Sequence, residues 1–189
     1  MNIVLIGFKS CGKSTLGKKL AYFSNMQFVD TDTLAEQLYA TLPEAEGTHE
    51  NTALPTCREI YEKHGAAFLR ELEKKVVFAL KDVDNTVIAT GGGVVLDPDN
   101  VETLRATGIC VFMDASLALL ERRLSTIKTP LFSTRSIAAM HAERYPLYSA
   151  AAHIVFRVAA DEPVETVAEA LYSIVHSQNI QGFQRKKDL

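Results

Sequence analysis

The sequence lacks the features typical of disulfide-stabilised, membrane-spanning or nucleic-acid-binding proteins. Its three cysteines, Cys11, Cys57 and Cys110, are widely spaced and form no CxxC pair. This pattern argues against a disulfide framework or a structural zinc site and favours the cytoplasm. No stretch approaches the roughly 20 apolar residues of a membrane helix, and the N-terminal apolar run is too short for a signal sequence. A net charge of −3 gives no strong field to hold nucleic acid or an anionic membrane.

The length and the hydrophobic content predict one substantial domain. The chain has 189 residues, of which 47% are hydrophobic, enough to bury a core. We expect a domain over residues 1–177 and a polar tail over 178–189. Two polar segments lie outside the predicted helices and strands: 42–55 is predicted to be a surface insertion and 126–135 a lid loop. Because no coiled-coil pattern or obvious apolar patch is present, we expect a monomer.

Short apolar runs alternate with longer segments of helical period. The predicted strands are Ile3–Ile6, Gln27–Val29, Thr86–Ala89, Ile109–Met113 and Ile154–Phe156. Helices are predicted from Lys13 to about Phe23, from near Thr33, from about Ala66 to Lys81, over Leu117–Leu124, before Ile154, and from about Val164 to His176. This alternation predicts an α/β fold in three α/β/α layers around a five-stranded parallel sheet. Ligands of such sheets bind beyond the carboxyl ends of the strands.

A phosphate-binding loop follows the first strand. Residues Gly7–Ser14 satisfy GxxxxGK[ST], and the pattern lies between a predicted strand and a predicted helix. A chance glycine-lysine turn is the alternative, but these flanking elements favour ATP binding. Lys13 is predicted to contact the β- and γ-phosphates, and the Ser14 hydroxyl to hold Mg²⁺. The predicted ATP-contacting residues of the loop are Lys9, Ser10, Cys11, Gly12, Lys13, Ser14 and Thr15.

Two carboxylates follow the second predicted strand. Asp30 is placed to hold magnesium, and Asp32 to accept a hydrogen bond from an attacking hydroxyl. One of them could instead cap the helix that begins near Thr33. Further on, Gly91–Gly93 follows the central strand; three glycines allow close backbone approach to a ligand, although a flexible turn is the alternative.

With these motifs the chain resembles the shikimate kinases, a branch of the P-loop kinases. The resemblance extends from Met1 to about Ile174, and the P-loop alone would not select this family. The ordered set that carries it is the P-loop, Asp30-Thr31-Asp32, Gly65 with Phe68-Leu69-Arg70-Glu71-Leu72-Glu73, Gly91-Gly92-Gly93, and Arg144-Tyr145-Pro146-Leu147-Tyr148.

The resemblance implies a P-loop kinase fold and transfer of the ATP γ-phosphate to the 3-hydroxyl of shikimate, a step of chorismate and aromatic amino-acid biosynthesis. It also implies the roles of individual residues. Lys13 and Asp32 would be catalytic, Asp30 would lie near magnesium, Arg70 and Arg144 would hold the shikimate carboxylate, Gly91, Gly92 and Gly93 would contact the same substrate, Arg123 would lie against adenine, and Glu73 would orient the arginine pair.

Elementary chemistry supports the roles of the arginines. A planar carboxylate is held best by the fork geometry of a guanidinium group. Arg70 and Glu73 are three residues apart on a predicted helix, so Glu73 can orient the arginine. The alternative for Arg70 and Arg144 is a solvated surface charge.

Three positions depart from the family pattern. The arginine expected before the Pro-Leu pair of the lid is replaced by Thr129, with Lys128 or Arg135 as the nearest cations. Ala66 stands where a glutamate is expected, and Leu69 where phenylalanine is usual. Two alternatives therefore stay open: a kinase of another hydroxy acid such as gluconate, and a degenerate nucleotide-binding regulator.

Overall fold

A parallel sheet of five strands organises the protein. A computed structural model describes residues 1–45, 54–125, 135–159 and 162–182, apart from the side chains of 178–182. Its strands are β1 (Ile3–Ile6), β2 (Gln27–Asp30), β3 (Thr86–Ala89), β4 (Ile109–Ala115) and β5 (Ile154–Val158). Their order in the sheet is β2-β3-β1-β4-β5, and every pairing is parallel. The predicted α/β class and the five strands are confirmed.

The central strands are covered on both faces. Successive side chains of a strand point to opposite sides, yet Ile3, Val4, Leu5 and Ile6 of β1 are all at most 1% exposed. The same holds along β3, whose residues are all buried. Continuous apolar runs, and not alternating ones, are therefore the correct signal for the central strands; the edge strand β5 alternates between more and less exposed residues.

Seven helices lie between and after the strands in the described chain. They are α1 (Lys13–Ser24), α2 (Thr31–Ala40), α3 (Cys57–Ala79), α4 (Pro98–Thr107), α5 (Leu117–Leu124), α6 (Ile137–Ala151) and α7 (Val164–Gly182). Short 3₁₀ turns cover Pro43–Ala45 and Val94–Leu96. Side-chain oxygens cap several helix N-termini and satisfy N–H groups that have no partner inside the helix; these caps are Asp30, Thr56, Asp97, Ser116 and Ser136.

The third predicted helix is the second half of a longer, kinked helix. Helix α3 begins at Cys57 and is interrupted at Gly65, with φ 81° and ψ −179°. The half after Gly65 matches the predicted start near Ala66, and the half before Gly65 was not predicted. Such a conformation is open mainly to glycine, so Gly65 kinks the helix while the chain remains helical on both sides. The N-terminal half of α3 could have been predicted from Thr56 and Glu59, which form a capping box.

Two other helices differ from the prediction. Helix α4 was not predicted, although Asp97 at its N-cap and Pro98 at its first position are typical start signals. Helix α7 continues to Gly182, beyond the predicted end near His176, so the first residues of the predicted tail are helical. The domain limit at residue 177 stays a prediction.

The predicted surface insertion is described only in part. Ala45 is 2% exposed, and Leu42 packs against the core, so the start of the 42–55 segment belongs to the packed structure. Residues 46–53 lie outside the described residues, as does 183–189 of the tail. None of the described helices has both the length and the apolar character that crossing a membrane requires.

Candidate active site

One cavity lies beyond the carboxyl ends of the strands. Its volume is about 570 Å³, and its wall includes residues of the P-loop, α2, α3, the glycine turn after β3, α5 and α6. A parallel sheet brings these segments together because all strands end at the same edge. Two of the predicted site residues, Asp30 and Gly91, do not line the cavity. The others do line it: Lys9, Ser10, Cys11, Gly12, Lys13, Ser14, Thr15, Asp32, Arg70, Glu73, Gly92, Gly93, Arg123 and Arg144.

The P-loop lysine is folded back onto its own loop. Lys13 Nζ donates hydrogen bonds to the carbonyls of Gly7 at 2.8 Å and Phe8 at 2.9 Å. The side chain is 7% exposed, and Cys11 Sγ lies 3.6 Å from its nitrogen. An anion in the loop can replace the two carbonyls as the partner of the ammonium group. Cys11 itself is completely buried.

Asp30 caps α2 and also contacts Ser14, the other predicted magnesium ligand. One carboxylate oxygen accepts a hydrogen bond from Ser14 Oγ at 2.6 Å. The other accepts from the backbone N–H of Asp32 at 3.0 Å and caps α2. A hydroxyl and a carboxylate next to a phosphate loop are hard oxygen ligands that suit Mg²⁺, which usually takes its remaining ligands from phosphate and water. Across the described ranges, no three His, Cys, Asp or Glu side chains gather into a metal-binding cluster.

Asp32 faces the cavity from the first turn of α2. The cavity walls around it limit hydration of the carboxylate, although the side chain itself is accessible from the cavity. This desolvation raises the pKa of Asp32 above its ordinary value of 3.8, and the Asp30 charge raises it further. Lys13, Lys9 and Arg70 oppose the shift. Asp32 is thus a carboxylate whose proton affinity is raised and whose charged form is stabilised by cations on both sides.

Arg70 and Glu73 form an ion pair on one face of α3. Glu73 is only 6% exposed, and burial raises its pKa while the Arg70 guanidinium lowers it. The two residues are three positions apart, which brings their side chains together on a helix. Glu73 therefore fixes Arg70 against the cavity wall, as the sequence predicted.

The three glycines are needed because neighbouring groups approach them closely, and not because their backbone conformation is unusual. None of them has a positive φ. A Cβ on Gly91 would lie 2.5 Å from Asp32 Oδ1 and 3.1 Å from Glu73 Oε1, and a Cβ on Gly93 would occupy the position of the Arg70 guanidinium. The turn therefore leaves room for polar side chains that a methyl group would displace.

The N–H groups of the turn differ in their availability. The Gly91 N–H donates to Thr31 Oγ1 at 2.9 Å, so this member of the predicted donor set is already committed inside the protein. Gly92 and Gly93 line the cavity. The Gly92 carbonyl accepts two hydrogen bonds, from Arg144 Nη1 at 3.2 Å and from Tyr148 Oη at 2.5 Å.

Arg144 is buried, contrary to the alternative of a solvated surface charge. The residue is 5% exposed, and its guanidinium lies 6.0 Å from the centre of the Phe8 ring. Its Nε has no hydrogen-bond partner among the described residues. A buried guanidinium with an unused donor is costly unless an anion binds there. Arg144 lines the cavity, so such an anion has access to this side chain.

Arg123 lies over the P-loop from the last turn of α5. Its Nη1 donates to the Ser10 carbonyl at 3.0 Å, and the same nitrogen would lie 3.7 Å from a Cβ on Gly12. The end of β5 completes this part of the wall with Val158 and Ala159. The planar guanidinium thus lies beside the P-loop on the cavity wall, and its predicted contact with adenine stays a prediction.

Three wall residues in the first half of α3, before Gly65, were not predicted. Cys57, Arg58 and Tyr61 line the cavity, and Cys57 Sγ lies 3.4 Å from the Asp32 carbonyl. Burial raises the pKa of the Cys57 thiol, so the thiol stays protonated. The capping box at Thr56 was the signal that could have placed these residues on a helix facing the site.

The predicted lid falls largely outside the described residues. Residues 126–134, which include Lys128 and Thr129, are not described. Arg135 is described: it forms an ion pair with Glu143 of α6 and does not line the cavity. The described part of the wall instead carries Arg58 as a cation that the sequence analysis had not assigned.

Comparison with known proteins identifies the family. The family model described as "Shikimate kinase" matches residues 9–175. The chain belongs to the shikimate kinase family. A shikimate kinase of Caldanaerobacter subterraneus subsp. tengcongensis is 37% identical over 173 residues, which cover 89% of this chain and 92% of that protein.

Solved structures agree with this assignment. A shikimate kinase from Acinetobacter baumannii, in complex with shikimate, matches with a TM-score of 0.81 and 25% identity, covering 95% of each chain. A gluconokinase from Sinorhizobium meliloti matches with a TM-score of 0.55 and 15% identity over 96% of this chain and 97% of that one, which shows a shared fold alone. As a member of the shikimate kinase family, this chain is an ATP-dependent phosphotransferase.

Proposed function

We propose that this protein transfers the γ-phosphate of MgATP to the 3-hydroxyl of shikimate, within aromatic amino-acid biosynthesis. The observation that carries the choice of acceptor is the buried Arg144, which lines the same cavity as the P-loop and whose Nε has no partner among the described residues. A small carboxylate-bearing acceptor can bind this guanidinium group, and Arg70, which also lines the cavity, supplies a second one. Family membership supports the same acceptor.

The nucleotide half of the reaction rests on Lys13 and the loop N–H groups. Lys13 leaves the carbonyls of Gly7 and Phe8 and binds the β- and γ-phosphates, where its charge stabilises the transferred group. Ser14 and Asp30 would hold Mg²⁺, which would neutralise phosphate charge when bound. Arg123 lies against the adenine base.

The acceptor half depends on orientation more than on proton transfer. Arg70 and Arg144 hold the acceptor carboxylate through charge-assisted hydrogen bonds, which leaves the hydroxyl near Asp32. Asp32 accepts the hydrogen bond of that hydroxyl and takes its proton as the new P–O bond forms, while the bond between the γ-phosphorus and the β-phosphate oxygen breaks and ADP leaves. The raised pKa of Asp32 makes its carboxylate a better proton acceptor than an ordinary aspartate.

The proposal includes a monomer in the cytoplasm. Residues assigned to ATP and residues assigned to the acceptor line the same cavity of this chain, which suits a monomer. The three cysteines are free thiols, which suits a reducing compartment.

The direct test is ADP release measured with MgATP and candidate acceptors. We expect turnover with shikimate, none with gluconate, and loss of shikimate-dependent turnover in Asp32→Asn. Turnover with gluconate alone would assign the acceptor to the sugar acids, and intact ATP binding without turnover would favour a regulatory role.

A pair of arginine variants tests the assignment of the carboxylate site. Arg144→Lys keeps the charge but loses the fork geometry, so we expect the KM for shikimate to rise at least tenfold with the KM for ATP unchanged. Arg157→Lys is the matched control, because Arg157 is exposed on β5 and is not on the cavity wall. Equal effects of the two substitutions would contradict the assignment.

A further inference from the structure

A buried tyrosine stands behind the acceptor end of the cavity without touching it. Tyr148 lies one helical turn after Arg144 on α6 and is 1% exposed. It is not on the cavity wall. Its ring stacks on Phe112 of β4, with ring centres 5.2 Å apart and 25° between the planes. Packing therefore holds the ring, and the direction of its hydroxyl is set by α6 and β4.

The Tyr148 hydroxyl donates a hydrogen bond to the peptide that joins Gly92 and Gly93. Tyr148 Oη donates to the Gly92 carbonyl at 2.5 Å, and Arg144 Nη1 donates to the same oxygen at 3.2 Å. Burial raises the pKa of Tyr148, so the hydroxyl keeps its proton and remains a donor. A carbonyl oxygen has two lone pairs, so the Gly92 oxygen can accept hydrogen bonds from both Tyr148 and Arg144 of α6.

The other end of this peptide belongs to the cavity. In a trans peptide the N–H points away from the C=O, and no cis bond is present among the described residues. With the Gly92 carbonyl held toward α6, the Gly93 N–H is directed to the opposite side, and Gly93 lines the cavity. A peptide between two glycines is otherwise free to rotate, because neither residue has a Cβ to restrict it.

We propose that Tyr148 is a positioning residue that fixes the Gly92–Gly93 peptide, so that the Gly93 N–H faces the acceptor and Arg144 keeps its place. The proposal rests on the acceptor assignment made above. Its specific content is that one hydroxyl outside the cavity wall sets acceptor affinity without changing nucleotide affinity. The hydrogen bonds of Lys13 and Ser14 in the P-loop do not involve this hydroxyl.

Tyr148→Phe removes the hydroxyl and keeps the stacked ring. Loss of one neutral hydrogen bond predicts a rise of about three- to tenfold in the KM for shikimate, while the KM for ATP stays within twofold. Tyr39→Phe is the matched control: Tyr39 is also fully buried and donates to a carbonyl, that of Glu44 at 2.9 Å, away from the cavity. It should lower the thermal midpoint and leave both KM values unchanged.

A second measurement follows the peptide itself. The chain has ten glycines, so a ¹⁵N-glycine-labelled sample gives a simple amide spectrum in which Gly93 is assigned by substitution. In the wild type we expect the Gly93 resonance to shift when shikimate binds. In Tyr148→Phe it should be broadened or doubled before ligand is added, because the peptide then samples two orientations.

The outcomes separate this proposal from the function on which it rests. Absence of any shikimate response in the wild type, in turnover or in the amide spectrum, overturns the acceptor assignment. A wild-type response combined with unchanged acceptor KM in Tyr148→Phe overturns the positioning role. A Gly93 resonance that does not shift in a wild-type protein that turns over shikimate also overturns it, even if Tyr148→Phe fails to fold.

Discussion

Replacement of Gly93 by alanine tests whether the glycine turn exists to make room for Arg70. The new Cβ would coincide with the Arg70 guanidinium, so the side chain must move. Because the obstructed group is the far end of a flexible side chain and not backbone, the fold can accept the change. Arg70 then leaves its position on the cavity wall and its ion pair with Glu73.

Two magnitudes follow from this displacement. Loss of the charge-assisted hydrogen bonds from Arg70 to the acceptor carboxylate corresponds to about 1.5–3 kcal/mol, or about 10- to 150-fold in kcat/KM for shikimate. Glu73, which is 6% exposed, loses its cationic partner, which lowers the free energy of unfolding by about 1–3 kcal/mol. The KM for ATP should not change, because the P-loop is not displaced.

The assay is steady-state kinetics with shikimate varied at saturating MgATP, together with urea unfolding. A double-mutant cycle tests whether Gly93→Ala acts by displacing Arg70. Gly93→Ala added to Arg70→Ala should cost little further activity, because the Arg70 side chain is already absent. If Gly93→Ala lowers kcat/KM equally in both backgrounds, the methyl group acts directly on the substrate. If kcat/KM changes less than threefold, the reasoning is refuted.

Three further predictions concern the metal site, pH and the core. Asp30→Ala removes the partner of Ser14 and the cap of α2, so the Mg²⁺ concentration for half-maximal activity should rise and urea unfolding should show a loss of about 1 kcal/mol. Asp32 has a raised pKa; kcat/KM for shikimate should therefore fall as pH is lowered through that pKa, above the range of an ordinary aspartate. A raised pKa means that ionisation of Asp32 costs more free energy in the folded chain than in the unfolded chain. Asp32→Asn should therefore unfold at higher temperature at neutral pH, and equal or lower stability would contradict this. Leu72→Ala, at a core position 1% exposed, should cost about 2–5 kcal/mol in urea unfolding and leave both KM values unchanged.

Local patterns predicted the parts of the site that lie on contiguous sequence. The P-loop follows β1 and opens α1, so a strand, a glycine turn and a helix start were enough to place Lys13 and Ser14. The i, i+3 spacing likewise placed Glu73 beside Arg70. In each case the groups that interact are close along the chain, and backbone geometry alone brings them together.

Contacts between distant segments could not be read in this way. The Gly92 carbonyl accepts hydrogen bonds from Arg144 and Tyr148, which lie 52 and 56 residues further along the chain. The Gly91 N–H donates to Thr31 Oγ1, and these two residues are 60 positions apart. Such pairings depend on the angle at which helices pack on the sheet, which no local periodicity encodes.

The sequence by itself determined the class of fold, the phosphate loop and the residue types at the acceptor end, because apolar runs, glycine spacing and charge are local properties of the chain. Only the tertiary structure decided how those residues act. It buried Arg144 with an unused donor, raised the pKa of Asp32 by enclosing it among cavity walls and charges, and broke α3 at Gly65. Burial, desolvation and long-range hydrogen bonding arise when distant segments meet, and therefore the chemistry of this site follows from the packing of the whole chain.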